Sequence, residues 1–314
     1  MVTAVLMSTY NGEEYLREQI DSILCQENVT VRLYIRDDGS SDTTVRILKE
    51  YDELVENVIF VNKNQISHVG VKESYLTLLE YVYRTAVPDY YSFADQDDVW
   101  LPAKLVSGIK KLSLAADNDK GKLYYSNKTY VDKDLTLIKQ ENILFYDDIY
   151  EVLWRNQASG CTMIFDRPLA GFLLKHHPEH PCFLHDNWAY RAAKSIGADV
   201  IFDKNSYILY RQHEKNVVGI VESEIYHKSI WYLMRKAVMV LFLPRNHDIL
   251  WLVEEIFHKY NSDLPKYNRY VLGLFVRYRF SPVSKIRLIL NQDMKKRDYK
   301  SRLAWIHSVL FNRI

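Results

Sequence analysis

Three short apolar runs in the first hundred residues each stop at a polar cluster, and helix-periodic segments lie between them. Val2 to Met7 run into Ser8-Thr9-Tyr10-Asn11-Gly12. Val29, Val31, Leu33 and Ile35 alternate with polar residues and stop at Asp37-Asp38-Gly39-Ser40, and Tyr90 to Ala94 stop at Asp95-Gln96-Asp97-Asp98. In the intervals Leu16, Ile20, Ile23 and Leu24 recur at helical spacing from Glu13 to Gln26, as do Val45, Ile47, Leu48 and Tyr51 and then residues 72–85, with residues 58–61 as a further strand. This alternation predicts an α/β fold, a mostly parallel sheet with helices on both faces. Ligands bind such sheets beyond the carboxyl ends of the strands, so the three clusters are expected to meet on one rim.

Composition narrows the partners. A 314-residue chain with 48% apolar residues can bury a large core. The formal net charge of +1 argues against nucleic acid but conceals an asymmetry: −10 through Glu224 and +11 from Ile225 onward. Cys25, Cys161 and Cys182 are odd in number and lack zinc-ligand spacing, which favours a reducing cytoplasm. The N-terminus has no basic n-region and reads as a first strand, not a signal peptide. The apolar run Ala237 to Leu243 is far shorter than the ~20 residues a membrane span needs.

Further along, residues 123–126, 162–165, 199–202 and 207–210 read as strands and residues 187–196 as a helix. After about Glu222 the texture changes to amphipathic helices rich in Trp, Tyr, Phe and Arg, over residues 226–243, 248–260 and 267–280. The expected division is therefore an α/β domain over residues 1–221, which carries the three polar clusters, and a helical region over 222–314. Basic, aromatic helices of this kind suit an anionic membrane surface or a homo-oligomer interface; packing on the α/β domain is the plainer alternative.

Asp95, Asp97 and Asp98 repel one another at this spacing, and a divalent cation resolves the conflict. All-carboxylate ligation suits Mg²⁺ or Mn²⁺. A helix cap near Leu101 is the structural alternative, but it would use only one of the carboxylates. Asp37-Asp38-Gly39-Ser40 could be a turn and nothing more; a carboxylate there could also accept the imide N–H of uracil or thymine.

The segments STYNGEEYLREQIDSIL, IRDDGSSDTT and FADQDDVWLPAKL, in that order, resemble the nucleotide-binding half of the family 2 glycosyltransferases, which have the GT-A (Rossmann-like) fold. SGCTMIF, LHDNWAYRAAKSIG and YRQHEKNVVG resemble the bacterial rhamnosyltransferase branch of that family, and the likeness spans roughly residues 2–220. The resemblance implies that Thr9, Tyr10 and Asp38 contact the base and ribose, with Asn11 beside them and Asp37 supporting the turn. It makes Asp95 and Asp97 the acids of a D-x-D motif that holds Mn²⁺ or Mg²⁺. Asp95 would be shared with the ribose, His213 would be a third metal contact, and Arg211 would partner the phosphates. Asp98 would stand behind the metal ligands. Asp186 matches the catalytic base, with His185 where most members carry an acid. Trp100 and Trp188 could stack on sugar or simply be core, and Gly160 could let backbone approach the sugar or merely open a strand.

The implied activity is inverting, metal-dependent transfer of a sugar from dTDP-L-rhamnose or a UDP-hexose to a saccharide, lipid-linked glycan or glycoprotein acceptor in bacterial cell-surface polysaccharide or glycoprotein glycan assembly; the expected place is the cytoplasm, with peripheral contact at the inner face of the membrane as an option. Inversion follows if Asp186 alone is left for proton transfer. A non-catalytic nucleotide-sugar-binding scaffold is the rival from another class, opposed by Asp97 and Asp186. A sugar nucleotidyltransferase is disfavoured because no Gly-rich, Lys-bearing loop follows the first strand.

Overall fold

The structure, a computed structural model, describes residues 1–179, 184–214 and 248–312. The expected helix over 226–243, the division at 221/222 and Cys182 lie outside the described residues. The chain runs β1 (Val2–Thr9), α1 (Leu16–Leu24), β2 (Thr30–Asp37), α2 (Thr44–Leu54), β3 (Val58–Phe60), α3 (Val71–Thr85) and β4 (Tyr90–Ala94). There follow β5 (Val99–Trp100), α4 (Lys104–Leu114), β6 (Lys122–Val131), β7 (Leu137–Gln140), α5 (Ile149–Trp154), β8 (Ile164–Asp166), α6 (Arg167–Lys175), α7 (His185–Ile196) and β9 (Asp199–Arg211). Beyond residue 247 come α8 (Asp248–Lys259), α9 (Lys266–Arg277), α10 (Pro282–Ile289), α11 (Gln292–Lys295) and α12 (Tyr299–Leu310).

The strands form one sheet in the order β3-β2-β1-β4-β8-β6-β9-β5, with β7 paired to β6. The parallel arrangement expected from the helical crossovers holds for β3, β2, β1 and β4. Beyond β4 the sheet is mixed: β8 lies antiparallel to both β4 and β6, β9 runs parallel to β6, and β5 closes antiparallel to β9. Register explains the common rim, because Thr9 sits opposite Asp37 and Met7 opposite Ala94, so the three polar clusters leave the sheet side by side.

Period-two alternation sorts the strand residues onto two faces. Val5, Met7, Leu33 and Ile35 pack with Leu16, Ile20 and Ile23 of α1 and Leu105 and Ile109 of α4. Ala4, Leu6, Tyr91 and Phe93 face the other way, onto Tyr75, Leu78, Leu79 and Val82 of α3. Each fully buried aliphatic side chain here contributes about 1.5–3 kcal/mol.

Three local expectations differ from what is seen. Residues 199–202 and 207–210 belong to one strand, β9, because register shifts at Asn127 absorb the polar stretch 204–206 as a bulge. Residues 160–162 form a single 3-10 turn, and β8 begins only at Ile164. The helix expected from residue 13 starts at Leu16, since Tyr15 and Leu16 both donate their N–H to the Gly12 carbonyl in a turn.

The described C-terminal helices pack against the sheet-bearing half. Leu252, Val253, Ile256, Phe275 and Trp305 share a buried cluster with Tyr150 and Leu153 of α5 and Trp188 and Ala192 of α7. Asn268 donates to the Lys194 and Ser195 carbonyls at the end of α7. Arg297, buried, pairs with Asp148 and lies 3.6 Å from Glu151. Phe280, Val283, Ile286 and Leu290 remain exposed. Among the described residues, no helix is long and apolar enough to cross a membrane.

Candidate active site

The rim opens into a cleft of about 810 Å³. Its first wall is the end of β1 and β2. Asp37 is buried and builds the turn: one carboxylate oxygen accepts the Gly39 and Ser40 N–H at 3.0 and 2.8 Å, and the other accepts the Thr9 hydroxyl at 3.0 Å. Gly39 takes φ +91°, a left-handed conformation that suits glycine. Asp38 lines the cleft with both oxygens engaged, by Arg36 at 2.8 Å and by the Val69 and Gly70 N–H at 2.8 and 2.9 Å. The exposed imidazole of His68 adds a contact at 3.0 Å. Tyr10, half exposed, exchanges two hydrogen bonds between its backbone and the Gln96 side chain, which ties the first loop to the acidic loop. Asn11 spends its side-chain oxygen on the Ser41 N–H and braces the loop without lining the cleft.

The acidic loop forms the floor. Asp95 and Asp97 line the cleft; Asp98 lies fully buried behind them. Burial, then the charge of Asp97, pushes the Asp95 carboxyl up to about 6, although the Tyr75 hydroxyl donates to it at 3.1 Å. Asp97 meets the His213 Nε2 at 2.9 Å. Asp98 is also raised, by burial and then by Asp97 and Asp95; its Oδ1 accepts the Arg211 N–H while its Oδ2 has no hydrogen-bond partner among the described residues. Ligand atoms of Asp95, Asp98 and Cys161 lie within 4.8 Å of one another. Burial drives the Cys161 thiol well above its ordinary value, which leaves it protonated and a poor ligand. The orphaned Asp98 oxygen and the mutual repulsion of the acids fit a nearby cation. Asp95, Asp97 and His213 supply the hard and borderline donors that Mn²⁺ or Mg²⁺ accepts.

Asp186 faces this floor from the first turn of α7, one residue inside the helix start and so not its cap. Its Oδ2 accepts the Gly160 N–H at 3.1 Å and its Oδ1 the Asn187 N–H at 2.6 Å. A Cβ on Gly160 would come within 2.7 Å of His185 Nε2 and 3.2 Å of Asp186 Cβ, so this glycine admits the base and its neighbour. His185 stacks on Tyr75 at 3.7 Å between centroids, and burial pushes it down to about 4, so it is neutral near pH 7.

Besides Asn11, and with His213 touching Asp97 from outside the cleft lining, three further expected site residues do not reach the cleft. Trp188 is fully buried against Tyr260, and Trp100 is buried under the Lys104 ammonium, 3.4 Å from its ring centre; neither can stack on a sugar where it stands. Arg211, 2% exposed, has its guanidinium committed to Glu18 and to the Asp97 and Lys133 carbonyls. It ties the acidic loop to β9 and does not present itself to a phosphate.

Sequence reasoning missed the far end of the cleft, where Tyr146, Arg155, Asn156, Gln157 and Ser301 meet. Arg297 stacks at 3.3 Å on Tyr146 and Ser301 belongs to α12, so the C-terminal helices help to wall the site. Lys128 was also missed, because nothing around NKT in the sequence marks that lysine as inward-facing.

Residues 4–167 match Glycosyl transferase family 2. The dTDP-rhamnosyl transferase RfbG of Shigella flexneri is 29% identical over 222 residues, covering 68% of this chain and 73% of that protein. The putative teichuronic acid biosynthesis glycosyltransferase TuaG of Bacillus subtilis (strain 168) is 28% identical over 176 residues, 54% of this chain and 64% of that one. Among solved structures, S. aureus TarS 1-349 in complex with UDP-GlcNAc superposes with a TM-score of 0.58 at 16% identity, covering 100% of this chain and 82% of that one. That likeness speaks for the GT-A fold.

Proposed function

The chain belongs to glycosyltransferase family 2, and from that premise we propose that it is an inverting, metal-dependent enzyme. It moves a sugar from a UDP- or dTDP-linked donor to a saccharide acceptor in the assembly of a bacterial surface glycan. One observation carries the proposal: a single cleft is lined together by Thr9, Tyr10 and Asp38, by Asp95 and Asp97, and by Asp186. The relative named as a dTDP-rhamnosyl transferase supports the pyrimidine nucleotide and the rhamnosyl option.

Thr9 and Tyr10 hold the nucleoside. Asp38 takes the imide N–H of the base where the exposed His68 ring now touches it, since its other contacts are fixed by Arg36 and backbone. Asp95, Asp97 and His213 would hold Mn²⁺ or Mg²⁺, which when bound screens the charge of the departing diphosphate. Asp186 accepts the proton of the acceptor hydroxyl, held in place by the Gly160 and Asn187 N–H groups. The acceptor enters from the Tyr146–Ser301 end. The protein works in the cytoplasm; the exposed apolar residues of α10 among basic neighbours favour contact with the inner membrane face.

Inversion follows from a count of uncommitted carboxylates. Glu151 is engaged by Arg297 and Arg155, and Glu141 by the Tyr130 hydroxyl and the Lys128 N–H, so among the described cleft residues no second carboxylate beside Asp186 is left for a covalent sugar intermediate. A UDP-α-hexose should therefore give a β-glycoside and dTDP-β-L-rhamnose an α-L-rhamnoside. NMR of the product, through the anomeric one-bond carbon–proton coupling, reads the outcome; retained configuration would refute both the mechanism and the role of Asp186.

A further inference from the structure

Lys128 projects from β6 into the cleft and is 7% exposed. Its ammonium donates to the Ser159 hydroxyl at 2.6 Å and lies 4.3 Å from the centre of the Tyr210 ring. No carboxylate of the described residues forms an ion pair with it, although it acts on Asp95 and Asp98 through space. A buried ammonium without a paired anion is costly to keep, and it stays charged here: burial opposes the charge, but neighbouring acidic groups, Glu141 among them, raise it above its ordinary value. Its position is informative as well. Ser159 precedes Gly160, whose N–H holds Asp186, so Lys128 reaches the turn that holds the base while it acts through space on the acidic floor.

We propose that Lys128 binds an oxygen of the donor's sugar-linked phosphate and takes up the charge that develops there as the sugar leaves. The anomeric carbon–oxygen bond to the phosphate breaks with its electron pair remaining on the phosphate, the acceptor oxygen bonds to the anomeric carbon, and the acceptor proton goes to Asp186. A charge-assisted hydrogen bond to phosphate from a buried cation is among the stronger single contacts available.

The proposal rests on the nucleotide-donor reading above, and the test separates the two. Calorimetry with Mn²⁺ compares UDP with UMP, and dTDP with dTMP, on the wild-type chain and on Lys128→Met, Lys128→Gln and Lys128→Arg. The Met and Gln variants should lose about 10-fold or more in diphosphate affinity while monophosphate affinity stays within about 2-fold; the Arg variant should retain most of the diphosphate affinity. Diphosphate affinity unchanged in Met and Gln, or a parallel loss for mono- and diphosphate, would overturn it. Unchanged diphosphate affinity with reduced turnover would make Lys128 a positioning residue for Ser159 and Gly160 instead. A wild-type chain that binds no pyrimidine diphosphate would refute the donor reading, and this proposal with it.

Discussion

Asp186→Asn should lower turnover by about 10²- to 10⁴-fold, the usual loss for a general base, with donor affinity near that of the unaltered chain. The side chain keeps its shape, and the helix start and Gly160 remain in place. The amide must, however, point its NH₂ at either the Gly160 or the Asn187 N–H, both of which now donate to the carboxylate. A stability loss of about 1 kcal/mol should accompany the change. Steady-state kinetics beside direct donor binding separates the cases: weakened donor binding with unaltered turnover would make Asp186 a binding residue.

Removing the metal should be as severe. Chelation with EDTA should abolish transfer and added Mn²⁺ or Mg²⁺ should restore it, since Asp95 and Asp97 face the cleft side by side and the charge of Asp97 already raises the Asp95 carboxyl. Asp97→Asn keeps the contact to His213 while removing the charge, and should cost about 10²-fold or more in rate. The fold should survive, because Asp97 sits at the cleft surface while Asp98 and Arg211 hold the loop from behind. Full activity in a metal-stripped sample would end the assignment of these residues.

The strand–helix alternation was legible because it depends on local periodicity, and so was the rim, because parallel strands of matched register end together. Thr9, Asp38, Asp95, Asp97 and Asp186 could be picked out as polar residues at the ends of apolar runs or within quoted motifs. What escaped depends on packing. Trp100 and Trp188 look the same in sequence whether they cover a sugar or fill a core, and only the helices beneath them decide it. Arg211 follows a strand end as a phosphate ligand would, yet Glu18, distant in sequence, captures it. Gly160 was read as room for a sugar, whereas the space it leaves is filled by His185 and Asp186. The mixed half of the sheet rests on β5, two residues long, and β8, three residues long, too short to leave a pattern.

The account stands or falls on whether the cleft takes a pyrimidine nucleotide sugar through a divalent cation. Thermal unfolding of the full-length chain with UDP-, dTDP-, GDP- and CMP-linked sugars, each with Mn²⁺ and with EDTA, tests this most directly. At about 100 times its dissociation constant a bound donor adds about 2.7 kcal/mol, which for a chain of this size raises the midpoint by about 4 °C. That rise is predicted for a uridine- or thymidine-linked donor with Mn²⁺ and is predicted to vanish in EDTA. An equal rise in EDTA, a preference for the guanosine or cytidine donors, or no rise with any nucleotide sugar would contradict it.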